Sequence, residues 1–396
     1  MSRKGPSTIG TTTFHPDTLH TSASTAVYLS TRESLNKDDL ASAIKTAFSL
    51  PATDKYTYHA GAAVTLAEVQ AAVAAGRANG LQDWYVSAES ASSPNEPNGG
   101  NASQQQQQGP SRRIITYPDP ADIAAYISLF DPSKPGANLL RGFAANAKKD
   151  SLRAGVAAHL LATRAVHPSV PVAKLKKGAE HHNIYADFWA WSCFSLGWAG
   201  PDAGTAGLRL SHHVLPVFMH HFGCVCPSYE ALEIIKGVWK GRAGAVLDVG
   251  SGNGYWTYML RRHGVEVVAV DNGQSAWRTL WIGDTVNADG VKFVGKRPGA
   301  GKDDVLLMVY PVVGLEFTTG VLDAYKGDVV CVVGTQNGNG YTGFKDEMID
   351  SWMAREREGF EKIVQVPLPS FAGKDDALFV FRRKEGAVEL KKEDKN

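Results

Sequence analysis

The stretch VLDVGSGNGYW, residues 246–256, places glycines at 250, 252 and 254 directly behind a short apolar run. Glycine has no Cβ, so the backbone can take positive φ and a ligand can lie against the main chain. A strand that runs through such a loop into a helix also aims free helix N–H groups at whatever the loop holds. This is a nucleotide-binding arrangement. Its spacing differs from the dinucleotide fingerprint G-x-G-x-x-G, whose third glycine would fall at 255, where the chain has Tyr255. Asp248 stands two residues before the first glycine. A carboxylate there opposes a pyrophosphate and favours a ligand with a cationic amino-acid end.

Histidines are the next candidates for chemistry, as acids and bases near neutral pH. LSHHVLPVFMHHFGC (210–224) holds His212, His213, His220 and His221 just before the helix that leads into the glycine loop. His220 and His221 are the candidate acid–base pair, positioned to fold over a cleft. Helical spacing brings His213 and His220 to one face, but Pro216 interrupts the helix and no H-E-x-x-H or carboxylate partner accompanies them. No metal site is expected. The four cysteines, Cys193, Cys224, Cys226 and Cys331, are too few for a disulfide framework in so long a chain and read as reduced thiols.

From residue 245 the pattern alternates short buried strands with helices. AVLDVG, VEVVAVD (265–271), DVLLMVY (304–310) and DVVCVVG (328–334) read as strands, and a third strand, weak in β-formers, must lie within 282–303. GYWTYMLRRHG, QSAWRTLWIG, EFTTGVLDAYKG and KDEMIDSWMAREREG read as helices, and EKIVQVPL and ALFVFRR close the pattern as a hairpin. The expected fold is α/β, doubly wound, with a mostly parallel seven-stranded sheet carrying a C-terminal antiparallel hairpin strand. Residues 241–384 form this domain. Residues 25–240 form a mainly helical accessory or substrate region. There Thr65 and Glu68 make a capping box, Gly80 stops that helix, and Ser228 caps a helix ending at Gly237 or Gly241. NIYADFWAWSCFSLGW (183–198) reads as a helix buried on most sides. Residues 1–24, the polar Gln-rich insertion 89–113 and the charged tail 385–396 are expected to be unstructured.

The D-x-G-x-G-x-G motif with an acid closing the following strand resembles the class I S-adenosylmethionine-dependent methyltransferases over about 245–383. The resemblance implies a Rossmann-like domain that binds S-adenosyl-L-methionine and moves its methyl group. It implies that the glycine loop carries the methionine part and that Asp271 takes both ribose hydroxyls, which suits a carboxylate. It implies a further acid near the adenine, for which Asp289 is the candidate and Asp284 the rival. The cofactor-binding set is therefore Asp248, Gly250, Ser251, Gly252, Asn253, Gly254, Asp271, Asn272 and Asp289. The fourth strand ends in VYPVVG (309–314), which matches neither the Asn-Pro-Pro-Tyr signature of amino-group methyltransferases nor the acidic signature of metal-dependent O-methyltransferases. The acceptor atom stays open, with Tyr310 a candidate at the methyl site. The alternative is a protein that binds S-adenosylmethionine or S-adenosylhomocysteine without methyl transfer.

Bulk properties narrow the partners. The chain of 396 residues has a formal net charge of +1, 43% hydrophobic and 20% charged residues. No global field draws it to nucleic acid, and no basic stripe with interleaved aromatics is present. No apolar run is long enough to span a membrane, and the start has no secretory apolar core. A cytoplasmic enzyme acting on a small molecule is expected, with a protein acceptor as the other option; the sequence leaves the oligomeric state open.

Overall fold

A computed structural model describes residues 5–20, 25–60, 63–79, 82–88, 113–171, 174–176, 179, 181–208, 212–312, 316–337, 344 and 347–386. Eight strands form the main sheet: β1 (Ala165–Val166), β2 (Val246–Val249), β3 (Val267–Asp271), β4 (Val286–Asn287), β5 (Val305–Val309), β6 (Val329–Thr335), β7 (Phe360–Pro367) and β8 (Asp376–Arg383). Their spatial order is β4-β3-β2-β5-β6-β8-β7-β1. Pairing is parallel from β4 to β6 and antiparallel at β6–β8, β8–β7 and β7–β1. The sheet thus has eight strands, not seven. The additional strand, β1, comes from the accessory region and covers β7, which would otherwise present unpaired backbone groups at an edge. His167 extends that pairing by donating its N–H to Ile363 O at 2.8 Å.

Alternate residues of the central strands enter two cores. Leu247, Val249, Leu306, Met308, Val330 and Val332 pack against the helices Gly290–Lys296, Phe317–Ala324 and Ile349–Glu356. Val246, Val305, Leu307, Val329, Cys331 and Val333 face the other way, into one core shared with the accessory region. At the centre of that core lies the helix Ile184–Leu196, capped by Asn183 and ended by left-handed Gly197, with residues of every face buried. Thr65 and Glu68 form the capping box of Leu66–Ala75, but that helix ends at Gly76; Gly80 lies outside the described residues. Ser228 caps Tyr229–Trp239, which runs through Gly237 and stops before Gly241 at φ +87°.

Two expectations fail. QSAWRTLWIG is not a helix. Thr279–Leu280 runs extended and pairs antiparallel with Ser7–Thr8. Arg278, Thr279, Trp281 and Ile282 are all buried, held by contacts across the fold: Arg278 on Asp54 and Tyr58, Thr279 on His221, Trp281 on Phe14, and Ile282 over Gly254. The early residues are accordingly not structureless: Phe14 and Leu19 are buried, with Phe14 against Phe48 and Trp281. Most of the 89–113 insertion and residues 387–396 of the tail lie outside the described residues. No helix of the described residues is long and apolar enough to cross a membrane.

Candidate functional site

The strand order reverses between β2 and β5: the chain goes from β2 to β3 and β4 on one side, and from β5 to β6 on the other. A crevice opens outside the carboxyl ends of the strands at such a reversal. Here it is a cleft of ≈ 360 Å³, within the range of small-molecule sites. Loops after β2, β3, β4 and β5 all contribute to it.

The glycine loop forms its floor. Gly250, Gly252 and Gly254 have φ of +80°, +57° and +83°. A Cβ on Gly252 would lie 2.8 Å from Trp277 Cζ2, and one on Gly254 would lie 2.4 Å from Ile282 Cγ1. Neither position has room for a side chain. The loop is pinned on both flanks. Gly250 and Ser251 donate their N–H groups to Val270 O at 2.8 and 3.0 Å. Asn253 donates from Nδ2 to His221 O at 3.0 Å and accepts from Tyr255 N at 3.2 Å.

Asp271 reaches over from the end of β3. Its Oδ2 accepts from Gly252 N at 2.9 Å and its Oδ1 from Gly273 N at 2.7 Å. Each oxygen keeps a further lone pair for a ligand hydroxyl. Asn272 accepts from Gln274 N at 3.1 Å, folding the chain back beside Asp271.

The sequence candidates divide by position. Gly250, Ser251, Gly252, Asn253, Asp271, Asn272 and Tyr310 line the cleft. Gly254 sits just below, as the N-cap of the helix Tyr255–Arg262. Asp248 is fully buried beneath the loop, where Thr257 donates to its Oδ2 at 2.6 Å and its Oδ1 has no partner. Burial pushes this carboxyl up to about 7. Asp289 is exposed and caps Gly290–Lys296 by accepting from Lys292 N at 2.9 Å. Its rival Asp284 is held below the usual carboxylate range by Arg261. Neither acid is in the lining.

His220 and His221 do not bring their imidazoles to the cleft. His221 is 0% exposed, stacked on Phe48 at 4.0 Å, with Tyr58 Oη 2.9 Å from Nε2 and Thr279 Oγ1 2.7 Å from Nδ1. His220 meets Tyr56 Oη at 3.3 Å and His59 O at 2.9 Å. Both fall below the ordinary imidazole range, chiefly through burial. Their neighbours Met219, Phe222, Gly223 and Cys224 line the cleft instead, because the helix Leu215–Phe222 turns its apolar flank that way. The histidines act through their main chain: His221 O also accepts from Trp281 Nε1 at 2.6 Å. No group of three His, Cys, Asp or Glu among the described residues could hold a metal ion.

Tyr310 is the catalytic candidate that reaches the cleft. It sits at the end of β5 with φ +52°, a conformation L-residues rarely adopt, and its N–H donates to Val333 O at 2.8 Å. Sequence reasoning missed Trp277, Gly290, Phe317, Met219, Phe222 and Cys224 in the lining. Trp277 was hidden by the helix expected around it. Phe317 had a signal, since it opens the helix after β5.

No protein-family model and no curated protein matches the chain. Among solved structures, one match is a protein of the NADB-Rossmann superfamily from Streptococcus agalactiae, with a TM-score of 0.26 and 15% identity over 39% of this chain and 69% of that one. Another is an SAM-dependent methyltransferase from Bacteroides fragilis in complex with S-adenosyl-L-homocysteine, with a TM-score of 0.23 and 13% identity over 38% and 76%. Likenesses at these TM-scores identify no family; the sheet order and the cleft stand on their own geometry.

Proposed function

We propose that the cleft binds S-adenosyl-L-methionine and that the protein is a methyltransferase for a small, largely apolar acceptor. The observation that carries this reading is the contact of Asp271 with Gly252 N: a carboxylate fixed on a glycine loop at the sheet's reversal point. The loop offers main chain where a side chain would collide, and Asp271 offers lone pairs for a diol. When bound, the cofactor supplies an activated methyl on a positively charged sulfur. The chain's own task is proximity and alignment. The glycine loop and Asp271 would fix one end of the ligand. Phe222, Trp256, Tyr310 and Pro311, which line the same cleft, would exclude water there, and the rings of the first three would offer aromatic faces to a cation. That apolar wall supports a small-molecule acceptor. Cys224 is a neutral thiol there, since burial pushes it up to about 12.

Calorimetric titration with S-adenosylmethionine, S-adenosylhomocysteine and NAD, beside Asp271→Asn, tests the reading. The sulfur ligands should bind and NAD should not. The variant should lose about 2–4 kcal/mol of affinity as the charge-assisted pair is lost. No binding of either sulfur ligand would sink the proposal. Binding without release of S-adenosylhomocysteine, across a panel of apolar phenols, thiols and amines, would instead favour a binding protein that moves no methyl.

A further inference from the structure

The same cleft holds two polar groups that no atom of the described residues satisfies. Ser251 Oγ and Trp277 Nε1 are both buried without a hydrogen-bond partner, and both residues line the cleft. Buried donors are almost always paired, so two orphans at one loop mark a place where a ligand's acceptor belongs. They flank the same glycine. Ser251 precedes Gly252, and the Trp277 indole lies across it: Cε2, the ring atom bonded to Nε1, is 3.2 Å from where a Gly252 Cβ would stand.

The indole is carried on a fixed point. The next residue, Arg278, is 2% exposed, pairs with Asp54, and donates its N–H to His220 O at 3.1 Å. On the other side, residues 272–276 are exposed and end at Asp271. The charges separate two kinds of ligand group. Asp271 repels an anion and accepts from hydroxyls. Ser251 and Trp277 can donate to an anionic oxygen, and neutral donors in a buried site stabilise such charge well. No Lys, Arg or His is among the described residues that line the cleft.

Resting on the cofactor reading above, we propose that Ser251 Oγ–H and Trp277 Nε1–H form a donor pair for the carboxylate of the cofactor's amino-acid end. The glycine between them lets the indole pack against the loop beside Ser251. The pair would set which way round the cofactor lies, with its ribose on Asp271.

Two ligands and two variants test the pair by titration of the full chain. S-adenosylhomocysteine carries the amino-acid end; 5′-methylthioadenosine lacks it. Trp277→Phe keeps a ring over Gly252 and removes the N–H, and Ser251→Ala removes the hydroxyl. Each variant should weaken S-adenosylhomocysteine about tenfold while changing 5′-methylthioadenosine by less than about twofold. If Trp277→Phe melts early, Ser251→Ala carries the same comparison. Equal weakening of both ligands, or of neither, overturns the pair and leaves the cofactor reading intact. An unaltered chain that binds neither ligand overturns both.

Discussion

At the scale of single residues, Asp248 shows how one position can answer to two demands. The strand β2 points it into the core shared with the accessory region, where Thr257 is its hydrogen-bond donor. Its carboxyl is raised to about 7 because burial penalises the charged form. A raised carboxyl means that the folded chain keeps a proton that the unfolded chain gives up. Stability from this group therefore falls as pH rises from about 4 through about 7. Asp248→Asn cannot ionise. It should match the wild type near pH 4 and be more stable by about 2–4 kcal/mol at pH 8, at about 1.4 kcal/mol per pK unit. Urea denaturation at both values measures it, and a constant difference would show that Asp248 does not titrate. Tyr310 is the second such residue. Its positive φ costs about 1–3 kcal/mol unless its surroundings fix it, and residues in that condition gather at functional sites. If Tyr310 orients the acceptor, Tyr310→Phe should keep cofactor affinity and lower the methyl-transfer rate. Equal kcat in both proteins would reduce Tyr310 to a wall.

At the scale of elements, the extended segment 272–282 does the work that a helix was expected to do. It closes the cleft with Trp277, enters the core with Arg278 and braces the glycine loop with Trp281, whose N–H donates to Asn253 O at 2.9 Å. A chain of hydrogen bonds holds it: Asp54 to Arg278, Arg278 to Tyr58 at 2.8 Å, Tyr58 to His221 at 2.9 Å and His221 to Thr279 at 2.7 Å. Asp54→Ala would leave the Arg278 charge buried without its partner. Such changes cost about 3–5 kcal/mol. The denaturation midpoint should fall accordingly, and cofactor affinity should fall with it, because Trp277 is the adjacent residue. Loss of stability with full affinity would show that the segment is not what positions the indole. The loop itself has as little tolerance. Gly254→Ala combines a positive φ with a Cβ 2.4 Å from Ile282 and should cost about 2–4 kcal/mol by the same measurement.

At the scale of the whole molecule, the accessory region and the sheet share one core. Burying histidines in and around it costs the fold protons. Burial lowers His181 and His212 to about 3 and lowers His220 and His221 as well. These folded values lie below the unfolded one of 6.5, so the unfolded chain binds protons that the fold excludes. Stability should then fall as pH drops below 6.5. Asp248 and Asp376, both raised to about 7, oppose this slope together with Asp187 and His159, which are raised too, while His213 and His263, lowered by burial, add to it. A fall in stability between pH 6 and 5 is expected from the lowered histidines. Denaturation at those two pH values measures it; no change would mean that the core takes up protons without opening.

Local chemistry made much of this legible in the sequence. Glycines at 250, 252 and 254 behind an apolar run require a tight loop, whatever surrounds it, because only glycine tolerates that backbone. Asp271 at the end of a buried run, the Thr65–Glu68 box and the Ser228 cap are likewise settled within a few residues of chain. Alternating buried strands and helices imply a parallel sheet, since parallel strands need crossovers. Tertiary structure decided the rest. QSAWRTLWIG carries helix-like spacing, but Arg278 and Trp281 are bound by Asp54, Tyr58, Phe14 and Phe48, more than two hundred positions away, and Thr279–Leu280 is held extended by pairing with Ser7–Thr8. The paired histidines resemble catalysts until Phe48, Tyr58 and Thr279 enclose them. The eighth strand exists because β7 needed a partner, and two residues of a distant segment supplied one. Trp277 enters the cleft through the burial of its neighbour Arg278, a contact across the fold that linear spacing does not encode.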